Sequence, residues 1–430
     1  MKILVLGGYG LIGLAITRAL IAAGHEVTGL GRSVQKGRAA APEAGWIGAD
    51  LSLMTDAVAW APVLRGIEVV INAAGVLQDG LKDRVAAVQR DSILALTVAG
   101  REAGVRQLIQ ISAPGVSETS DTEFFRTKAA ADAAVKASGL DWVILRPGLV
   151  LSPHAYGGTG LIRQLAAFPL VQPLMLSSTP VQTVHVDDVA NAVTLAVNRR
   201  LAGIDADLVG PDVPTLGRIV LAFREWLGFP RPARLLRVPY VIGAAMARLG
   251  DAAGWLGWRP ALRTTSLRVL ASGVTGDADA WPAATGQSLR MLDDSLAALP
   301  STLQERTYAR MALLFPLLLI VLSGFWIASG LIGFWRQDAA AELLAGSLPP
   351  AAAKASVLGG SAADLAIGLG LLVRPLTRPA AIAAILLSLC YLGGSIFFAP
   401  HLWADPLGPM VKAIPAMALA LAVWAMAEAR

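Results

Sequence analysis

Short apolar runs alternate with longer amphipathic segments over the first half of the chain. Four to six apolar residues between glycines and polar residues are typical of strands buried on both faces. Such runs predict strands at residues 2–6, 27–30, 46–49, 69–73, 108–112 and 142–145. Helical patterns fall between several of them, at residues 11–23, 84–103 and 127–138. Strands alternating with helices predict an α/β domain with a doubly wound parallel sheet of the Rossmann type, over residues 1–205.

The order weakens over residues 206–300, where prolines interrupt the pattern. Short helices are predicted at 216–227 and 241–249. We expect a small cap or substrate domain here, completed by parts of residues 150–185.

The last third changes character after a linker at residues 301–311. Four mostly apolar segments follow, each about as long as the roughly 20 residues that span a bilayer as a helix. They lie at residues 312–335, 355–373, 379–399 and 409–427. The pattern predicts an all-α, four-helix transmembrane bundle over residues 312–430.

Composition supports this division. The chain has 430 residues, of which 55% are hydrophobic and 16% charged, against roughly 25% charged in ordinary soluble domains. Residues 311–430 hold only 11 of the 67 charged side chains. A disordered or wholly soluble chain is therefore excluded, and a net charge of +5 is too mild for a nucleic-acid-binding protein.

Cysteine and histidine counts argue against a metal centre. Cys390 is the single cysteine, so neither an intrachain disulfide nor a cysteine cluster can form. The four histidines are scattered without metal-ligand spacing. We predict no metal.

The charges that flank the apolar segments favour one orientation. Five arginines lie on one side and three Lys/Arg on the other, so the positive-inside rule favours cytoplasmic termini. We expect a multi-pass protein of a bacterial-type inner membrane, with its N-terminal domain and C-terminus in the cytoplasm.

A glycine-rich turn follows the first predicted strand and opens the first predicted helix. Gly7, Gly10 and Gly13 have GxxGxxG spacing, with Leu11 and Ile12 between the last two. Glycines permit a tight turn and let backbone N–H groups approach a pyrophosphate at the helix N-terminus. The position of the triad predicts a dinucleotide cofactor.

The second strand suggests which dinucleotide. An NAD site usually places an acid there to hold the ribose 2′-hydroxyl, but this chain has Arg32 and Ser33. A guanidinium suits a 2′-phosphate, so NADP(H) is preferred and NAD(H) stays open. Further cofactor-binding residues are predicted after the third and fourth strands: Asp50, Leu51, Asn72, Ala73, Ala74 and Gly75.

These residues resemble the short-chain dehydrogenase/reductase superfamily, in its atypical, NmrA-like branch, which includes the NADPH-binding accessory subunit of respiratory complex I. The resemblance covers roughly residues 1–300 and extends to Arg146-Pro147-Gly148 and to residues 184–190 (VHVDDVA). The C-terminal segments resemble the DoxX-like family of four-helix membrane proteins.

One departure from the superfamily bears on catalysis. Its Tyr-x-x-x-Lys pair aligns with Phe124 and Lys128, so the phenol that normally transfers a proton is missing. The resemblance implies Lys128 and Ser112 as candidate catalytic residues, with Lys128 also binding the cofactor. His154 and Tyr156 are candidate replacement acids, against an ordinary loop role.

Other residues allow two interpretations each. His185 precedes Asp187 and Asp188 and is a ligand, a base or, preferably, a packing residue. Seven arginines and one acid between residues 231 and 268 suit either anionic lipid headgroups or a solvated face. Asp364, inside an apolar segment, is a functional site or a hydrogen-bonding link between helices.

Three functions follow from this sequence. The preferred hypothesis is a membrane-anchored NADP(H)-dependent oxidoreductase acting on an apolar, quinone-like or lipid-like substrate. The second is a non-catalytic NADPH-binding scaffold, sensor or respiratory-complex assembly factor, which Phe124 favours. The third, a small transporter, uses Asp364.

Overall fold

A computed structural model describes residues 1–80, 84–406 and 408–427. It divides into two compact units. The first comprises Met1–Ala252 and Pro260–Arg306, and the second comprises Ala253–Arg259 and Thr307–Arg430. Of the charges used above for orientation, Arg430 lies outside the described residues.

The elements of the first unit are as follows. Its strands are β1 Lys2–Leu6, β2 Glu26–Gly31, β3 Gly45–Gly48, β4 Val69–Asn72, β5 Gln107–Ile111, β6 Asp141–Pro147, β7 Leu149–Leu151, β8 Val171–Leu174, β9 Thr183–His185, β10 Ile204–Leu208 and β11 Arg234–Arg237. The helices to residue 300 are α1 Leu11–Ala22, α2 Val34–Ala40, α3 Ala57–Leu64, α4 Ser92–Glu102, α5 Glu123–Lys136, α6 Gly157–Ala166, α7 Val186–Asn198, α8 Leu216–Trp226, α9 Tyr240–Trp255, α10 Thr264–Ala271, α11 Ala280–Thr285 and α12 Leu292–Ala297.

The main sheet confirms the predicted fold class. Seven parallel strands run in the order β10-β6-β5-β4-β1-β2-β3. The chain first builds outward from β1 through β2 to β3, and then crosses to β4 on the other side. This order places a crevice at the carboxyl ends of β1 and β4, where open α/β sheets bind ligands.

Hydrophobic burial on both faces of the sheet explains the apolar runs. Ile3, Leu4, Val5 and Leu6 of β1 are all fully buried. Alternate residues join two separate cores, so Ile3 and Val5 pack with α1 and α7 while Leu4 and Leu6 pack with α3 and α4. A strand with helices on both faces cannot alternate between polar and apolar positions.

Side-chain caps fix several helix starts, including one that the pattern placed too late. The Thr122 hydroxyl accepts a hydrogen bond from the backbone N–H of Phe125, so α5 begins at Glu123 rather than near residue 127. Capping of this kind satisfies an N–H group that would otherwise lack a partner. Lys128 therefore lies in the second turn of α5, not the first.

The predicted helix at residues 84–103 is also irregular. Residues Ala87–Asp91 form a π-helical turn before α4 begins. Such turns are rare in helices and frequent at functional sites.

Two short parallel ladders complete the first unit, pairing β7 with β9 and β11 with β8. The pattern did not predict them, because three or four residues give too few alternations to recognise. The predicted helices at 216–227 and 241–249 are present as α8 and α9.

The second unit is helical. Its elements are α13 Leu303–Trp335, which begins in the first unit, α14 Gln337–Glu342, α15 Pro350–Leu372, α16 Thr377–Phe398 and α17 Ala413–Met426. Among the described residues, three helices are long and apolar enough to cross a membrane: α13, α15 and α16.

The fourth predicted span needs correction. Of residues 409–427, only the 14 residues of α17 are helical, which is shorter than the roughly 20 that a full crossing requires. The described residues thus contain three spanning-length helices and a shorter apolar one, where four segments of spanning length were predicted.

A buried carboxylate joins the centre of the main sheet to α5. Asp132 accepts hydrogen bonds from the Ser112 hydroxyl, at 2.7 Å, and from the Arg146 guanidinium, at 3.1 Å. Burial raises the pKa of Asp132, and the bonds from Ser112 and Arg146 counteract part of that rise. Ser112, which follows β5, therefore has a structural partner.

Replacing Ser112 tests the strength of this link. We expect Ser112→Ala to destabilise the first unit by about 1.5–3 kcal/mol, because a buried carboxylate loses a donor. Thermal unfolding of the detergent-solubilised protein, followed by near-ultraviolet circular dichroism, measures the change. Ser117→Ala, which removes an exposed hydroxyl, is the control and should leave the unfolding temperature unchanged. An unchanged unfolding temperature in Ser112→Ala would contradict the structural role.

Candidate functional site

The glycine turn lies at the crevice between β1 and β4, and its backbone packs too closely for a side chain at Gly7 or Gly13. Gly7 has a positive φ of 70°, a conformation that favours glycine. A Cβ on Gly13 would lie 2.2 Å from the Gly7 carbonyl oxygen, and one on Gly7 would lie 3.0 Å from the Ala74 Cα. The turn after β1, the first turn of α1 and the loop after β4 are therefore in backbone contact.

The N-terminus of α1 has no side-chain cap, so its first N–H groups are left for a ligand. Gly10 is the N-cap and provides no side-chain acceptor, and the first turn has no acid. Leu11 and Ile12 are half-buried in that first turn. N–H groups without side-chain caps at a helix N-terminus are suited to an anion such as a pyrophosphate.

An aromatic side chain from the glycine turn occupies the end of β2. The Tyr9 ring lies where a Cβ on Gly31 would approach to 2.4 Å, and its hydroxyl accepts a hydrogen bond from the Ser33 backbone N–H at 3.2 Å. Its ring centroid is 5.8 Å from that of Trp46 on β3. Arg32 is exposed next to this pair. Sequence analysis missed Tyr9, although an aromatic residue inside a glycine turn was a visible signal.

Two of the predicted cofactor residues act as local supports. The Asp50 carboxylate accepts from the backbone N–H and hydroxyl of Ser52, which caps a short helical turn containing the buried Leu51. The Asn72 amide donates to Gln110 and accepts from the Ala74 N–H. Both therefore shape the loops that line the crevice.

Lys128 lies buried under the carboxyl end of β5. Its ammonium group donates to the Ile111 carbonyl at 3.0 Å and lies 5.7 Å from the centre of the Phe124 ring. Burial lowers the pKa of Lys128 to about 8, although the charge of Asp132 offsets part of the shift. The structure thus provides an amine that can exchange a proton near neutral pH, beside an aromatic ring that cannot.

Gln89 is a neighbour of this site that sequence analysis missed. It lies on the π-helical turn and is buried. Its amide donates to the Val76 carbonyl, but its Oε1 has no partner among the described residues. A Cβ on Gly75 would lie 3.7 Å from that oxygen and 4.0 Å from the Lys128 Nζ. Gly75, Gln89 and Lys128 therefore line one small space.

The other candidates occupy different surroundings. His154 and Tyr156 are exposed on the loop after β7. His185 is buried and accepts a hydrogen bond from the Asp187 backbone N–H, which caps α7. Burial lowers the pKa of His185. Its hydrogen bond at the start of α7 is a structural contact, in accord with the preferred packing role.

Asp364 lies within the second unit and links three helices. Its carboxylate accepts from the Ser329 hydroxyl of α13 at 2.6 Å and from the Tyr391 hydroxyl of α16 at 2.8 Å. Both carboxylate oxygens have partners, which explains how a carboxyl group is accommodated among apolar helices. The transport hypothesis stays a prediction.

The residues of the first unit fit a dinucleotide. The first turn of α1 has no side-chain cap on its N–H groups, and the orphaned Gln89 oxygen is an acceptor suited to an amide donor. Gly75 leaves space beside Lys128 and Gln89.

Comparison with known protein families agrees with this geometry. Residues 7–199 match the NAD(P)H-binding family, and residues 323–421 match the DoxX-like family. The fold of the first unit is similar to PA4631, a nucleoside-diphosphate-sugar epimerase from Pseudomonas aeruginosa. The TM-score is 0.51 at 21% identity, covering 72% of this chain and 99% of that one.

Two curated relatives match parts of the chain. The ceramide reductase of Caulobacter vibrioides is 32% identical over 126 residues, which are 29% of this chain and 39% of the relative. The mitochondrial NADH dehydrogenase [ubiquinone] 1 alpha subcomplex subunit 9 of Arabidopsis thaliana is 31% identical over 167 residues, 36% of this chain and 38% of the relative. The chain thus spans about two fifths of the length of each. Residues 7–199 of this chain thus form an NAD(P)H-binding domain with a Rossmann-type fold, and residues 323–421 belong to a DoxX-like domain.

Proposed function

We propose that this protein is a membrane-anchored, NADPH-dependent reductase of an apolar carbonyl compound, such as a quinone or a lipid-like ketone. The observation that carries the proposal is Lys128, a buried amine whose pKa is lowered to about 8 next to the space under Gly75. General acids work best when their pKa lies near the operating pH. The reductase activity named for the Caulobacter vibrioides relative also supports it.

The protein's own residues then have separate roles. A reduced nicotinamide supplies a hydride when bound. The backbone of the Gly7–Gly13 turn binds the pyrophosphate, and Gln89 orients the nicotinamide end through its free oxygen. Lys128 holds the proton that the developing alkoxide needs, the role that a tyrosine fills in relatives and that Phe124 cannot fill.

Arg32 carries the preference for NADP(H) in this proposal. The end of β2 has no acid to bind a ribose 2′-hydroxyl. At Gly31 the Tyr9 ring fills the space that a side chain would take. A guanidinium there favours a 2′-phosphate. The three spanning-length helices among the described residues and the DoxX-like match support a membrane protein. The inner-membrane location and the cytoplasmic N-terminal domain expected from the sequence belong to the proposal.

The second candidate function is a non-catalytic NADPH-binding scaffold or assembly factor. Two observations favour it: Phe124 occupies the tyrosine position, and the Ser112 hydroxyl is donated to Asp132 rather than left for a substrate carbonyl. The Arabidopsis thaliana relative is a subunit of a respiratory NADH dehydrogenase. Tight NADPH binding without oxidation by quinones or ketones would favour this function over the first.

Replacing Lys128 tests the reductase directly. Single-turnover oxidation of bound NADPH by a short-chain quinone should slow as the pH rises through about 8, because the protonated amine is lost. We expect Lys128→Met to lower the rate about 10²–10⁴-fold and to flatten the pH profile. Arg126→Met is the control, because it removes from the same helix an exposed cation that, among the described residues, bonds only the Ser120 carbonyl. A wild-type rate that does not fall above pH 8 would exclude Lys128 as the proton donor.

A second experiment tests the cofactor preference. Arg32→Gln should raise the NADPH dissociation constant about 10–100-fold, since a charge-assisted hydrogen bond is worth about 1.5–3 kcal/mol, and should leave that for NADH nearly unchanged. Fluorescence of the bound nucleotide measures both constants. Arg38→Gln on the neighbouring helix α2 is the matched control. If Arg32→Gln weakened the binding of NADPH and NADH equally, Arg32 would not be the residue that binds the 2′-phosphate.

A further inference from the structure

Helix α9 buries its smallest residues and exposes its largest apolar ones. Gly243, Ala247 and Gly250 face the body of the first unit, with Ala247 fully buried. Val241 and Leu249 on the opposite side are 76% and 71% exposed. Soluble amphipathic helices have the reverse arrangement, because their large apolar residues pack into the core.

The close packing of α9 fixes this orientation. A Cβ on Gly243 would lie 1.9 Å from the Met175 sulfur, and one on Gly250 would lie 2.2 Å from the Leu262 carbonyl oxygen. At Gly250 the close atom belongs to the backbone, so a larger side chain cannot occupy the inner face there, and at Gly243 it would have to displace the Met175 side chain. The exposed apolar residues therefore cannot be buried by rotating the helix about its axis.

The strand that precedes α9 extends the exposed apolar residues. Leu235 and Leu236 of β11 are both more than half exposed. Together with the outer face of α9 they form a set that we name the cap apolar surface: Leu235, Leu236, Val241, Ile242, Met246 and Leu249. Exposed apolar groups of this extent on soluble proteins usually mark an interaction site.

Basic residues accompany the cap apolar surface. Arg234, Arg237 and Arg248 are exposed, and residues 231–250 contain no acid. In the described part of the chain, no carboxylate forms an ion pair with any of the three. Apolar side chains with arginines and no acids are complementary to a bilayer surface with anionic headgroups.

Chain connectivity also favours the bilayer over a soluble partner. The residues that follow the exposed stretch, Ala253–Arg259, belong to the helical unit, and the chain enters that unit again at Thr307. The chain thus passes from the first unit into the helical unit at two points, and residues 323–421 of the helical unit match the DoxX-like family. A covalent connection of this kind raises the effective concentration of a nearby membrane surface.

We propose that the cap apolar surface inserts into the headgroup region of the bilayer, with its arginines on anionic lipids. The docked cap contacts the membrane through α9 and β11 in addition to the spanning helices. This surface is separate from the nucleotide-binding residues, and its docking does not depend on whether the protein is a reductase.

Fluorescence quenching tests the proposal on the full chain. The background is Cys390→Ser, which removes the single cysteine, an exposed thiol. An environment-sensitive fluorophore is attached at Leu249→Cys or Met246→Cys. The control is Val58→Cys, an equally apolar site that is 81% exposed on α3. The protein is placed in nanodiscs of phosphatidylcholine and phosphatidylglycerol, with a doxyl-labelled lipid or aqueous acrylamide as quencher.

We expect the doxyl lipid to quench the labels at 249 and 246, and acrylamide to quench the label at 58. Omitting phosphatidylglycerol, or combining Arg234→Gln, Arg237→Gln and Arg248→Gln, should weaken lipid quenching at 249. Each arginine removed should lower the docking equilibrium constant about fivefold. These labels replace exposed residues, so the fold does not depend on them.

Three results would overturn the proposal. Acrylamide quenching at 249 as strong as at 58 means that the surface is in water. Protection of 249 from both quenchers means that protein covers it, such as a second copy of the chain. Lipid quenching at 249 that is unchanged without phosphatidylglycerol and in the triple arginine variant would show that the arginines do not bind anionic lipids.

Discussion

The nucleotide-binding unit depends on one close contact between backbone segments. The turn after β1 passes so near to α1 and to the loop after β4 that a Cβ on Gly13 would lie 2.2 Å from the Gly7 oxygen. Glycine at these positions allows the helix to start directly above the strand, with its N–H groups facing the crevice. The order in which the chain adds strands reverses between β1 and β4, which opens the crevice at their carboxyl ends. Arg32, Gly75 and Lys128 all lie on segments at this end of the sheet.

The chemistry of the site depends on how its charges are buried. Asp132 is held by Ser112 and Arg146, and its negative charge partly supports the ammonium of Lys128. Desolvation still dominates and lowers the pKa of Lys128 to about 8. A phenol next to this lysine would be the natural proton donor, but Phe124 leaves the lysine as the titratable group. In the proposed reductase, Lys128 therefore takes the role of proton donor; in the scaffold it would only bind the nucleotide.

Structural features that follow from a regular spacing of residues could be predicted from the sequence, and features that depend on single side-chain contacts could not. Apolar runs located six of the seven strands of the main sheet, because burial between helices demands apolar residues. The seventh, β10, was missed because Asp205 and Asp207 interrupt its apolar residues. Glycine spacing located the turn, because only glycine fits it. Gln89 was missed, since its importance comes from a π-helical turn and an unpartnered oxygen that no spacing reveals. Ser112 was identified as a candidate catalytic residue, but its bond to Asp132 involves a residue 20 positions away on another element.

In the C-terminal part, too, the sequence pattern located the apolar segments but not the length of each helix. Hydropathy found all four apolar segments, but could not show that the last forms a helix of only 14 residues. In the proposed reaction, NADPH bound at this site transfers a hydride to an apolar acceptor. The most direct measurement uses NADPH deuterated at the transferred position, with the protein in nanodiscs containing a quinone, followed by mass spectrometry of the solvent, quinol and nucleotide. Stoichiometric formation of oxidised nucleotide and quinol is the predicted result, and it should be slower with the deuterated cofactor. Bound nucleotide that stays reduced while the quinone is unchanged would contradict the account and leave the protein as an NADPH-binding scaffold.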